Sequence, residues 1–215
     1  MPHLVIEYAT GGKRPGYRFR PPVDGIDEAT RSAVWRHAMP RGQGWGAEGF
    51  AGARSLKCFP VGRGTVAVST ICVTDQADEL GRRGIRRAEV ELLPAAAYPA
   101  FLEQKLAAIP APIREAASHQ LMSYLWQRIV DRALLRGSRC VVLTAPYTGP
   151  EGWQHIEALI LRLVTSPGIR MFEGWGVLTP FTTLALDWRD EGQIVGVPSA
   201  SLRRGRGASI IGVNP

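Results

Sequence analysis

Cysteine is scarce here. The 215 residues hold three, Cys58, Cys72 and Cys140. They are odd in number, widely spaced and form no Cys-x-x-Cys, which argues against a disulfide framework or a zinc ribbon. Each lies beside apolar residues, so the expectation is three small buried hydrophobes, with a catalytic thiol as the lesser alternative. Lysine is equally scarce: Lys13, Lys57 and Lys105 are the only ones. The net charge of +7, from 26 basic against 19 acidic residues, is therefore carried by arginine. Arginine suits planar recognition of carboxylate or phosphate, although GC-rich coding produces the same bias. No apolar run approaches the ~18 residues of a membrane span. Met1-Pro2-His3-Leu4 lacks the basic region and apolar core of a secretory signal, so the expected location is cytoplasmic.

Several catalytic signatures are missing too. There is no Gly-x-Ser-x-Gly elbow, no dinucleotide-binding glycine fingerprint and no phosphate loop ending in Gly-Lys. No histidine has a second one three or four positions away, so the zinc helix motif is absent. No cofactor is predicted, no catalytic residue is assigned, and a non-enzymatic role is favoured.

What is present reads as an α+β chain. Leu4 to Tyr8 and Tyr17 to Arg20 predict a hairpin, ended by Pro21-Pro22, because proline donates nothing to a ladder. Asp27 is a suitable N-cap for a helix over Glu28 to His37, with Ala29, Ala33 and Val34 inward. Pro40 to Gly52 carries five glycines and reads as a loop that presents Trp45 and Phe50. Ser55 to Pro60 and Thr65 to Val73 predict two strands around Gly62-Arg63-Gly64, and Arg87 to Leu93 a third. A helix follows over Ala96 to Ala108. Ile113, Ala117, Leu121, Leu125, Ile129 and Leu134 recur at helical spacing and predict one long helix from Ala111 to about Arg136. Arg139 to Thr144 predicts a strand and Glu151 to Thr165 a helix. Ile169 to Val177 and Phe181 to Trp188 predict two more strands. The expected architecture is a mostly antiparallel N-terminal sheet with helices on one face, then a C-terminal helix–strand–helix–strand layer. The predicted division is residues 1–110, 111–200 and a basic tail at 201–215.

Asp75, Asp78 and Glu79 precede Gly81-Arg82-Arg83-Gly84, Arg86 and Arg87. Clustered carboxylates suit a divalent ion, but the spacing fits no EF-hand, and a solvated loop paired with the arginines is the plainer expectation. Gly81-x-x-Gly84 could cradle an anion on backbone N–H groups, yet a strand follows where a phosphate loop needs a helix. Glu115 and His119 are spaced to share one helix face, and Cys140 with His155 is a conceivable dyad that no spacing selects. Three basic clusters offer a phosphate-binding alternative: Lys13, Arg14, Arg18 and Arg20; the arginines of the 82–87 loop; and Arg203, Arg204 and Arg206. Tyr17 and Phe19 could stack bases, but strand alternation sends them to the face opposite Arg18 and Arg20.

The order of these pieces resembles a known family. Glu7-Tyr8 to Tyr17-Arg18-Phe19, then Asp24-Gly25-Ile26, then Leu56-Lys57-Cys58-Phe59-Pro60, then Gly81-Arg82-Arg83-Gly84 before a strand, are similar to the amino-terminal domain of bacterial GTPase-associated adaptor proteins of conflict systems. Gly152-Trp153 to Val164, followed by Pro167, is similar to that family's middle region. Ile85 stands where the family pattern has asparagine, and Glu89 where it has histidine. The resemblance implies a protein–protein adaptor and carries over no catalytic residue.

The leading expectation is therefore an adaptor or subunit of a multi-component bacterial system, for phage defence or linked to a GTPase. It would bind a protein encoded nearby through Arg82, Arg83, Arg86, Arg87, Trp45 and Phe50, with no membrane contact. The alternatives are a nucleic-acid-binding protein and a metal-dependent hydrolase or nuclease using Asp75, Asp78 or Glu79.

Overall fold

The β-branched opening run builds β1 (His3–Ala9), and the chain returns beside it as β2 (Gly16–Phe19). The computed structural model describes residues 2–9, 16–20, 24–38, 54–62, 64–78, 80–81, 85–116, 119–131, 140–145, 149–165, 179–182, 193–198 and 209–212. After the hairpin come α1 (Glu28–His37), β3 (Arg54–Gly62), β4 (Thr65–Val73) and β5 (Arg86–Pro94). A single 3₁₀ turn at Ala95–Ala97 leads into α2 (Tyr98–Ala107), α3 (Ala111–Glu115) and α4 (His119–Val130). The C-terminal part adds β6 (Cys140–Ala145), α5 (Gly149–Thr165), β7 (Thr179–Thr182), β8 (Gln193–Pro198) and β9 (Ser209–Gly212).

The fold is α+β. Its strands form one sheet in the order β2-β1-β5-β4-β3-β7-β8-β6-β9. The first five neighbours pair antiparallel. The last four pair parallel, so their connections must cross a sheet face, as α5 does between β6 and β7. The two halves meet at β3 and β7, antiparallel, with Lys57 opposite Phe181.

Alternation along β3, β4 and β5 divides their side chains between two cores. On one face Leu56, Cys58, Val66, Val68 and Leu93 pack under Tyr98 and Leu102 of α2, Leu125 of α4, and Ile156 and Ile160 of α5. On the other, Ile6, Phe59, Ala67, Ile71, Ala88 and Val90 pack against Val34 of α1 and the adjoining Ala38. The expectation of helices on one face is thereby corrected: α1 covers the second. Buried Ser69 of β4 donates its hydroxyl to the Ala38 carbonyl at 3.0 Å, fastening the end of α1 to the sheet. The first core also runs across Pro110, from strands before it to α4 and α5 after it.

Two further expectations change. The single helix over Ala111 to Arg136 is two helices, with α3 closing at Glu115. The Ala116 N–H turns back to the Ile113 carbonyl, and the Arg162 guanidinium of α5 donates to the Arg114 carbonyl at 3.0 Å. Carbonyls at a helix end need such outside partners. In the predicted basic tail, Ser209–Gly212 is instead β9, paired with β6. The predicted strand over Ile169 to Val177 lies outside the described residues, and of the strand expected from Phe181 only the Thr179–Thr182 segment is described. Among the described residues, no helix is long and apolar enough to cross a membrane.

Candidate interaction surface

Among the described strands the β1–β2 hairpin forms one end of the sheet, and its register decides which side chains share a face. Phe19 lies opposite Ile6 and Tyr17 opposite Tyr8, while Arg18 lies opposite Glu7. Tyr8 and Tyr17 meet edge to face with centroids 5.4 Å apart. Phe19 meets Trp35 of α1, also at 5.4 Å. Arg18 and Arg20 are exposed on the other face, where Arg20 pairs with Glu7 at 3.9 Å. The sheet thus separates an aromatic side from a basic side. This separation bears on nucleic acid, because bases stacked on Tyr17 or Phe19 would have their phosphates across the sheet from Arg18 and Arg20.

Local chemistry places α1. The Asp27 carboxylate accepts from the Thr30 N–H at 2.9 Å and the Thr30 hydroxyl at 2.7 Å, which caps the helix. Those bonds favour the charged carboxylate and hold its pKa below the ordinary range. Arg31 pairs with Glu28 one turn along. Val34 points inward and is fully buried, so Trp35, rotated by ~100° about the helix, is left 46% exposed. Phe19, Glu28, Arg31, Ser32 and Trp35 line a shallow cleft of about 320 Å³. Sequence reasoning missed this pair of aromatics. The signal available was a tryptophan directly after the inward Val34, off the buried stripe.

The acidic loop has a structural account. The Asp78 carboxylate accepts from the Leu80 N–H at 2.9 Å and its carbonyl from the Gly81 N–H at 2.9 Å. This is an Asx turn, completed by Gly81 at φ +71°, where glycine is favoured. Asp75 is exposed, and Glu79 lies outside the described residues. Among the described residues, no three His, Cys, Asp or Glu side chains converge on a possible metal position.

Of the predicted partner-binding arginines, Arg86 and Arg87 are described, and both are half-buried on β5. The Arg86 N–H donates to the Tyr17 hydroxyl at 3.1 Å, and burial lowers the pKa of its guanidinium. Arg87 pairs with Glu89 at 3.0 Å along the same face. Arg82, Arg83, Trp45 and Phe50 lie outside the described residues, as do Lys13, Arg14, Arg203, Arg204 and Arg206.

Cys58 is fully buried, and burial pushes its thiol up to about 12, with nearby Glu157 adding to the shift and a hydrogen bond with Tyr98 opposing it. A nucleophilic cysteine needs the opposite perturbation. Cys72 is half-buried in β4. The side chains of Cys140 and His119 are outside the described set, so the dyad with His155 and the pair with Glu115 are too; Glu115 lies 3.7 Å from Arg114.

No family model, curated protein or solved structure matches the chain.

Proposed function

We propose that this protein is a non-enzymatic protein–protein interaction module, an adaptor or subunit within a multi-component bacterial assembly. The observation that carries the reading is the corner formed by β2 and α1. There Trp35 and Tyr17, 46% and 37% exposed, flank an outermost strand to which no described strand is added. Large aromatics supply contact area at low entropic cost, which is why they concentrate at interface centres. The likeness of the hairpin and the Gly81–Gly84 segment to GTPase-associated adaptors supports a conflict or stress system, with a partner encoded nearby. The test is co-expression with each neighbouring gene product, followed by size-exclusion chromatography. A stoichiometric complex that Trp35→Ala weakens is the expected result. Separate elution from every neighbour overturns the proposal.

A second reading draws on exposed Arg18 and Arg20 and the +7 charge: binding to nucleic acid through phosphates. It requires affinity that falls steeply as salt rises, because bound phosphates release counterions. A flat salt titration with single- and double-stranded probes removes it.

A further inference from the structure

We infer that the outer edge of β2 is a docking site for an extended segment of a partner protein whose side chains alternate apolar and acidic. The inference rests on the interaction reading above and specifies how that surface is used.

The hydrogen-bond alternation of an antiparallel pair fixes which backbone groups face outward. The Arg20 N–H donates to the Val5 carbonyl at 2.8 Å, so Arg20, and by alternation Arg18, direct their amides toward β1. Tyr17 and Phe19 then direct theirs away from β1, toward the edge. An outermost strand with outward amides is a template for one more strand.

Side chains select what that strand carries. Residues added beside Tyr17 and Phe19 would lie on the aromatic side, next to exposed Trp35. Residues added beside Arg18 and Arg20 would lie on the basic side, where both residues are exposed, Arg18 reaching the Ala9 carbonyl at 3.5 Å and Arg20 pairing with Glu7 at 3.9 Å. An alternating apolar–acidic strand satisfies both faces at once. A second copy of β2 does not, because antiparallel pairing of two such edges sets arginine against arginine on one face, and like charges in register are destabilising. The Tyr17 hydroxyl, held by the Arg86 N–H, and the Tyr8 edge contact restrain one half of the aromatic row in advance. Less of the ordering cost then falls on binding.

The experiment uses the full chain and a fluorescent, end-capped peptide, Ile-Glu-Val-Asp-Ile-Glu-Val, read by anisotropy. Controls are the same composition with the acids grouped at one end, and two versions N-methylated at alternate backbone amides. The alternating peptide is expected to bind at least ~10-fold tighter than the grouped one. One half-methylated peptide should lose binding and the other keep it, because only one set of amides faces the edge. Arg18→Glu with Arg20→Glu should weaken the parent at least ~10-fold and improve a peptide carrying lysine in place of the acids. Arg18→Gln with Arg20→Gln should lie between, with an unchanged unfolding midpoint. Equal binding of the alternating and grouped peptides, or equal binding of both methylated forms, overturns the proposal. A neighbour-encoded protein that binds wild type and the double Glu variant equally overturns strand addition while leaving the interaction reading intact.

Discussion

Raising the pH should destabilise this protein through one buried thiol. Cys58 is pushed up to about 12 in the folded state, against 9.0 for an unburied thiol, chiefly because burial penalises the thiolate. Below pH 9 both folded and unfolded chains hold the proton, and the thiol adds no pH dependence. Between 9 and 12 the unfolded chain has released its proton and the folded chain has not. The unfolded state then binds fewer protons, so stability falls as pH rises, by about 1.4 kcal/mol per unit. At pH 10.5 the loss reaches ~2 kcal/mol, and across the whole window it approaches ~4 kcal/mol. Urea unfolding at pH 8, 9.5 and 10.5 measures it, with Cys58→Val as the reference. The Cys58→Val reference differs from wild type at this one position, so the difference between their profiles isolates the thiol. Tyr98 shares a hydrogen bond with Cys58 and is itself raised by burial. Tyr98→Phe in both backgrounds therefore removes the phenol's own titration. Wild type should lose ~2 kcal/mol more than Cys58→Val between pH 8 and 10.5. Parallel pH profiles would refute the argument and place Cys58 in contact with solvent.

Ser69→Ala leaves the buried Ala38 carbonyl without its donor and should cost about 1–3 kcal/mol in urea unfolding, an effect that Ser69→Thr partly restores. Ile160→Ala opens a cavity where α5 meets the sheet and should cost about 2–5 kcal/mol, visible as a lowered urea midpoint with little change in slope. Asp27→Ala removes the cap of α1 and should lower helicity and stability at pH 7. Because the Asp27 carboxyl titrates below 3.8, its contribution is present above that pH and is lost as pH falls through the lowered value, so wild type and variant should converge in acid. A thiol reagent at pH 8 should label Cys58 only as fast as the protein opens, since the folded thiolate is nearly absent.

The elements that proved legible were those whose ends carry their own chemistry. The span of α1 follows from Asp27, whose side chain caps the helix as its residue type suggests. The strands around Gly62 and Gly64 follow from an apolar run and a β-branched run broken by turn residues. What periodicity could not reveal was set by distant partners. The apolar stripe from Ile113 to Leu134 continues through the end of α3, but the Arg162 contact with the Arg114 carbonyl comes from α5, far along the chain. Coverage of both sheet faces was not anticipated, although β4 is buried through Val66 to Ser69 without alternation, as a strand enclosed on two sides is, and its near-continuous apolar run from Thr65 to Val73 was the signal available. The aromatic corner was harder to see. Phe19 and Trp35 belong to separate elements, and only the register of β2 on β1 and the rotation of α1 bring their rings together.

The position of β1 has a consequence for how the chain assembles as it is made. Its inner neighbour is β5, with His3 opposite Glu91 and Ile6 opposite Ala88, so the hairpin is synthesised well before the strand that closes over it. Meanwhile β3, β4 and β5 pair in chain order and can zip locally, which is kinetically cheap. The pairing of β1 with β5 is the longer-range closure, and β3, β4 and β5 form the locally connected unit. Until β5 is made, the inner amides of β1 lack the strand that pairs with them in the folded protein. The inner side of the hairpin is thus an edge that the finished protein covers with its fifth strand.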